Sequence, residues 1–169
     1  MEAFEKFLKA AEKSGWIIEK GNGEVHLPSQ YKNIPEDYKQ IIRGYSKLSN
    51  AEEDCWFILN EDLTQSDPDM FAWDTFQNIS LDACEDEEER AEISAWWDGY
   101  FPIVMIVSGD YCYYAIELST GHIVNGWEPE FEEVTVVAEN LGEFFEKIVD
   151  DEGKVILDEV IFDDNGDIL

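Results

Sequence analysis

The chain has 169 residues, 44% of them apolar, which suits one domain whose core needs no disulfide or metal to hold it. Forty Asp and Glu face eleven Lys and Arg, a formal charge of −29, and such a surface repels DNA, RNA and anionic membranes alike. The imbalance is concentrated: residues 48–146 hold twenty-five acids and a single base, Arg90. Charge speaks to association rather than to fold. It fits either a very soluble, halophile-like protein or a surface shaped for a basic partner such as a nuclease.

Residues 2–14 read as an amphipathic helix with Phe4, Phe7, Leu8 and Ala11 on one face, stopped at Ser14-Gly15. No secretory leader is expected at this end, because no apolar run follows Met1. "WIIEKGNGEVHLP" predicts a short hairpin, Trp16–Glu19 with Glu24–Leu27, around Gly-Asn-Gly. "NIPEDYKQIIRGYSKLS" predicts a second helix opened by Pro35, with Glu36 and Asp37 favourable at its positive end and Tyr38, Ile41, Ile42 and Tyr45 as its stripe. "CWFIL" at 55–59 is a buried strand, "FAWDTFQNISLDAC" is irregular or briefly helical, and "EDEEERAEISAWWDGYF" is a third helix with Ile93, Trp96 and Trp97 inward.

The middle of the chain has the clearest pattern. "PIVMIVSG" is an apolar run of strand length. "DYCYYAIEL" alternates, with Cys112, Tyr114, Ile116 and Leu118 on one face. Ser119-Thr120-Gly121 turns the chain and "HIVNGW" returns it, which predicts three consecutive antiparallel strands. "VAENLGEFFEKIVDD" predicts a last helix through Leu141, Phe144, Phe145 and Ile148. "GKVILDEVIFDDNGDIL" is an apolar run of strand or helix type with an acidic end. No run approaches the length that spans a bilayer.

Motifs for chemistry are absent from the sequence. His26 and His122 are far apart, and no HExxH or Cys/His zinc spacing occurs. Asp163, Asn165 and Asp167 alternate as in a calcium loop, but the chain ends before a bidentate Glu and Gly166 is out of place, so a turn is expected. No GxSxG and no glycine-rich phosphate loop is found. With forty acids, two close carboxylates are expected by chance and do not argue for a glycosidase. Cys55, Cys84 and Cys112 are odd in number and widely spaced, and read as reduced thiols of a cytoplasmic protein. The expectation is therefore no catalytic residue, no metal and no cofactor. "GWEPEFEEV" stands apart: Trp127 ends a strand, Pro129 breaks it, and Glu128, Glu130, Glu132 and Glu133 cluster. It is either a solvated loop with Phe131 tucked inward or an aromatic anchor rimmed by acids for a basic partner.

The N-terminal amphipathic helix, "HLPSQYKNIPEDYKQII", the acidic helix and "FPIVMIVSGDYCYYAIELSTGHIVNGWEPEFEEVTVVAENLGEFFEKIV" together resemble the SUKH superfamily. That superfamily includes the yeast Smi–Knr cell-wall regulators and many bacterial immunity proteins. The likeness is strongest over residues 101–148, weaker over 27–45, loose over 50–95, and does not cover the acidic tail after Asp151. It implies an α+β fold, a mostly antiparallel β-sheet with packed α-helices, as one SUKH-like domain over 1–151 with an acidic extension at 152–169. It also implies a non-enzymatic immunity protein of a polymorphic toxin system, neutralising a cognate toxin by direct binding. The alternative is a regulatory adaptor of the Smi–Knr type, binding a host protein or serving cell-wall processes. The family supplies no catalytic residues. Within this reading Tyr111, Tyr113 and Glu117 form an open sheet face, and Trp127, Glu128, Glu130, Glu132 and Glu133 extend it as the contact surface.

Overall fold

The computed structural model describes residues 2–169. Among the described residues a seven-stranded, fully antiparallel sheet runs in chain order, each strand pairing with the one before it. The strands are β1 (Ile17–Lys20), β2 (Tyr45–Ser49), β3 (Cys55–Phe57), β4 (Tyr100–Ile106), β5 (Cys112–Glu117), β6 (Ile123–Trp127) and β7 (Thr135–Ala138). Six helices accompany them: α1 (Glu2–Lys13), α2 (Glu36–Gly44), α3 (Asn60–Thr64), α4 (Thr75–Ala83), α5 (Glu87–Trp97) and α6 (Leu141–Lys147). The fold is α+β.

The register assigns each side chain to a face, because directly paired residues point the same way and neighbours along a strand alternate. Phe57, Val104 and Tyr114 share one face. α1 and α6 lie over it. The Phe7 ring sits 5.2 Å from both Phe57 and Phe145, and Phe4 sits 4.9 Å from Phe145. Trp56, Met105 and Tyr113 share the other face. That face is also covered: Phe76 of α4 and Trp97 of α5 both approach Tyr113. β4 and β5 are therefore buried on both sides, and Phe101 to Ile106 and Tyr113 to Ile116 are buried without a break.

Three local expectations are corrected. β1 does not pair with residues 24–27. It pairs with β2, Ile17 opposite Ser49 and Ile18 opposite Leu48. The reason shows at Gly21, where the chain keeps tracking β2: its N–H donates to the Gly44 carbonyl at 2.9 Å, and a Cβ there would lie 2.7 Å from the Arg43 oxygen. Residues 24–27 are tied to Asn60 instead, which accepts from the His26 N–H and donates to the Glu24 carbonyl. The second helix stops at Gly44, and Tyr45–Ser49 is extended as β2, so the polar–apolar alternation of "YSKLS" outweighs the helical spacing of Tyr45. Val137 and Ala138, expected at the start of the last helix, lie in β7. α6 begins only after Asn140, whose side chain accepts from the Glu143 N–H.

Residues 152–169 are packed onto the same core. Val155, Leu157 and Phe162 are buried, Phe162 against the Tyr114 ring. The Ser14 hydroxyl accepts from the Val155 N–H, and Lys13 donates to the Glu152 carbonyl. No helix among the described residues is long and apolar enough to cross a membrane.

Candidate partner-binding surface

β5 and β6 form the hairpin that carries the candidate residues. Cys112 pairs with Trp127 at one end, and Ile116 with Ile123 near the other. The eight expected contact residues do not form one patch. Glu117 lies at the turn end of the hairpin, where its carboxylate accepts from Thr120 Oγ1 at 2.5 Å and Tyr100 Oη at 3.2 Å. A strand's length separates it from the 127–133 loop.

Tyr113 is a correction. It is 0% exposed, so it presents nothing to a partner. The alternation placed it correctly on the face opposite Tyr114, but α4 and α5 cover that face. A tyrosine tolerates such burial when its hydroxyl finds a partner, and Tyr113 Oη donates to the Phe131 carbonyl at 2.6 Å. Gly126 makes the approach possible, since a Cβ there would lie 2.6 Å from the Tyr113 ring. Burial pushes the phenol far above its ordinary pKa, with the Glu132 charge adding to the effect. Tyr113→Phe keeps the ring and removes this bond. It should lower the unfolding free energy by about 1 kcal/mol, read by urea denaturation, and speed amide exchange in residues 131–134.

Tyr111 is half-buried on the same face, edge-on to Phe71 and stacked with Phe76. The loop acids divide by role. Glu128 turns back, its carboxylate accepting from the Tyr111 N–H at 2.8 Å while its own N–H donates to the Tyr111 carbonyl. Glu132 accepts from the Trp97 indole N–H at 2.7 Å. These two acids hold the loop on the protein. Phe131 is buried and stacks on Phe76 with ring centroids 4.9 Å apart, as the tucked-in reading of the loop expected. Glu130 and Glu133 are exposed. Trp127 is 44% exposed, but it pairs with Cys112 and so lies on the Tyr114 face, which corrects the expectation that it extends the face of Tyr111 and Tyr113.

The field of Glu132 also reaches the corner between α4 and α5. Cys84, at the end of α4, has its thiol pKa raised first by desolvation and then by Glu89, with Glu132 and Asp86 acting in the same direction. Glu132 and the acidic start of α5 thus act on the same thiol. Asp86 caps α5 by accepting from the Glu88 and Glu89 N–H groups, and Glu87, Glu88 and Glu89 fill its first turn, where the helix dipole favours them. Arg90 donates to the Leu81 carbonyl at 2.7 Å, a contact that holds α4 to α5.

Residues 60–71 received no role from the sequence, yet they wall a cleft of about 390 Å³ beside Trp56. The available signal was the one used for 127–133: acids interleaved with large apolar residues, here "EDLTQSDPDMF". Among the described residues no group of three or more His, Cys, Asp or Glu side chains is placed to hold a metal ion. No protein-family model matches the chain, and no curated protein or solved structure matches it at a significant level.

Proposed function

We propose that this protein is a binding protein that neutralises a basic protein partner, a cognate bacterial toxin of nuclease type, through its acidic side. The observation that carries the reading is unopposed surface acidity: Glu130 and Glu133 stand exposed in the loop, Glu87, Glu88 and Glu89 fill the exposed start of α5, and residues 48–146 hold one arginine. A surface of one sign of charge suits Arg and Lys on a partner, and its field speeds the encounter. The SUKH resemblance of residues 101–148 supports the same reading.

The test is calorimetric titration with the catalytically dead product of the adjacent gene at low and high salt. Tight binding that weakens with salt is expected. Replacing Glu130 and Glu133 by Gln should weaken it about 2- to 30-fold, two exposed charge contacts at roughly 0.2–1 kcal/mol each. Glu128→Gln and Glu132→Gln should act differently, loosening the loop and lowering stability. No binding at either salt would move the assignment to an adaptor of the Smi–Knr type.

A further inference from the structure

The helices that cover the Tyr113 face stop short of the sheet's edge. On that face β2 and β3 carry Lys47, Ser49 and Trp56, and α3 with the chain to Phe71 stands beside them as a wall. Four acids, Glu53, Glu61, Asp62 and Asp69, line the cleft between floor and wall, against one base, Lys47, which is already paired with Glu53.

Two further features mark the cleft as unfilled. Ser49 is 1% exposed, and its hydroxyl has no hydrogen-bond partner among the described residues. A buried hydroxyl without a partner is uncommon and costs free energy. The Asp62 carboxylate is fixed by two neutral donors, the Trp56 indole N–H at 3.0 Å and the Leu59 N–H at 2.9 Å, and no cation among the described residues pairs with it. The apolar part is equally defined. Trp56 and Phe71 meet edge to face at 5.9 Å, and Met70 stands 58% exposed at the rim.

We propose that this cleft is a socket for a guanidinium or ammonium group carried on an apolar stem. The head is taken by the carboxylates of Glu61, Asp62 and Asp69 and by the unpartnered Ser49 hydroxyl, and the stem lies against Trp56, Phe71 and Met70. The aromatic floor adds cation–π attraction and excludes water. A hard metal ion is a poor occupant, because it needs several converging oxygens rather than an aromatic floor. The same chemistry is presented by a free alkylguanidine and by an arginine side chain. The socket stands independently of the Trp127–Glu133 surface, and its test does not require the toxin.

Nitrogen-15 NMR of the intact chain reads the Trp56 indole N–H and the Leu59 amide directly. Titration with agmatine should move both peaks along saturating curves, and 0.5 M NaCl should weaken the binding. Neutral n-butylurea, which keeps the apolar stem and carries no charge, should move neither. Glu61→Gln with Asp69→Asn, both at exposed positions, should weaken agmatine at least tenfold. Ser49→Ala should weaken it a few-fold with little change in stability, since the hydroxyl bonds nothing in the free protein. n-Butylguanidine carries one charge, as N-acetylarginine amide does, so equal binding of these two identifies a protein side chain as the occupant, and a marked preference for n-butylguanidine identifies a free small cation. Peaks that stay still, that move equally with n-butylurea, or that drift without saturation alongside every exposed carboxylate overturn the socket.

Discussion

Phe76→Ala should lower the unfolding free energy by about 3–5 kcal/mol and disorder the 128–133 loop while leaving the opposite face of the sheet intact. Phe76 is 1% exposed and lies at the junction of three elements, stacked on Phe131, stacked on Tyr111 and tilted against Tyr113. Truncation removes buried apolar surface and leaves a cavity that rigid neighbours fill poorly, which together give the stated loss. The loop suffers most because Phe131 is its single buried anchor and rests on the Phe76 ring. Phe57→Ala provides the control. It is equally buried, but on the α1–α6 side against Phe7, Trp16 and Phe145. Both variants should lose similar stability in urea, but only Phe76→Ala should raise amide exchange at residues 130–134 and weaken partner binding. Equal exchange in the two variants would separate the loop from α4.

The difference between the two faces explains what was legible beforehand. The β4–β5–β6 hairpins could be read because alternation, an apolar run and "STG" all act locally, and the pairing of Met105 with Tyr113 and of Tyr114 with Asn125 follows from them. The pairing of β1 with β2 was not legible. It joins Ile17 to Ser49 across an intervening helix, and nothing local in "WIIEKGNGEV" competes with its Asn-Gly turn signal. β7 was hidden for a related reason: "TVVA" runs straight into the helical spacing of Leu141, Phe144 and Phe145, and only the Asn140 cap marks the boundary.

The candidate surface was legible as to which residues face together and not as to what covers them. Alternation put Tyr111 and Tyr113 on one side correctly. It carries no record of a second layer, and α4, which supplies that layer, is weakly patterned: its apolar residues Phe76, Ile79 and Leu81 do not mark one face, and only Phe76 among them is buried. Likewise Glu128 and Glu132 are indistinguishable from Glu130 and Glu133 in sequence. Their inward roles depend on a backbone N–H at Tyr111 and an indole at Trp97, the latter thirty-five residues away. Charge count therefore overstated the loop's outward display by two carboxylates.

Stability should rise by about 1 kcal/mol when the pH falls from 7 to 5, with Asp62 as the source. Burial raises this carboxyl from 3.8 to about 6, outweighing the Leu59 and Trp56 hydrogen bonds that favour the charged form. The folded state therefore holds the proton more tightly than the unfolded chain. The associated stability is complete below about pH 4 and is lost as pH rises through 6, roughly 3 kcal/mol in all. Glu36, Glu143 and Asp163 shift the opposite way, through the Arg43 side chain, the Glu139 N–H and the Asp167 N–H respectively. Their contributions are lost only as pH falls below the ordinary carboxylate range, so they leave the pH 5–7 window to Asp62. Relief of repulsion among forty acids acts in the same direction, so the measurement is a difference: urea midpoints at pH 7, 6 and 5 for the wild type and for Asp62→Asn, whose curve should be flatter by about 1 kcal/mol. Parallel curves would remove Asp62 as the source. The Trp56 indole N–H should report the same titration in the unmodified protein, since it donates to the titrating group. A cation seated in the cleft favours the charged carboxylate, so agmatine should move that midpoint to lower pH, and by linkage the socket should bind more tightly at pH 7 than at pH 5.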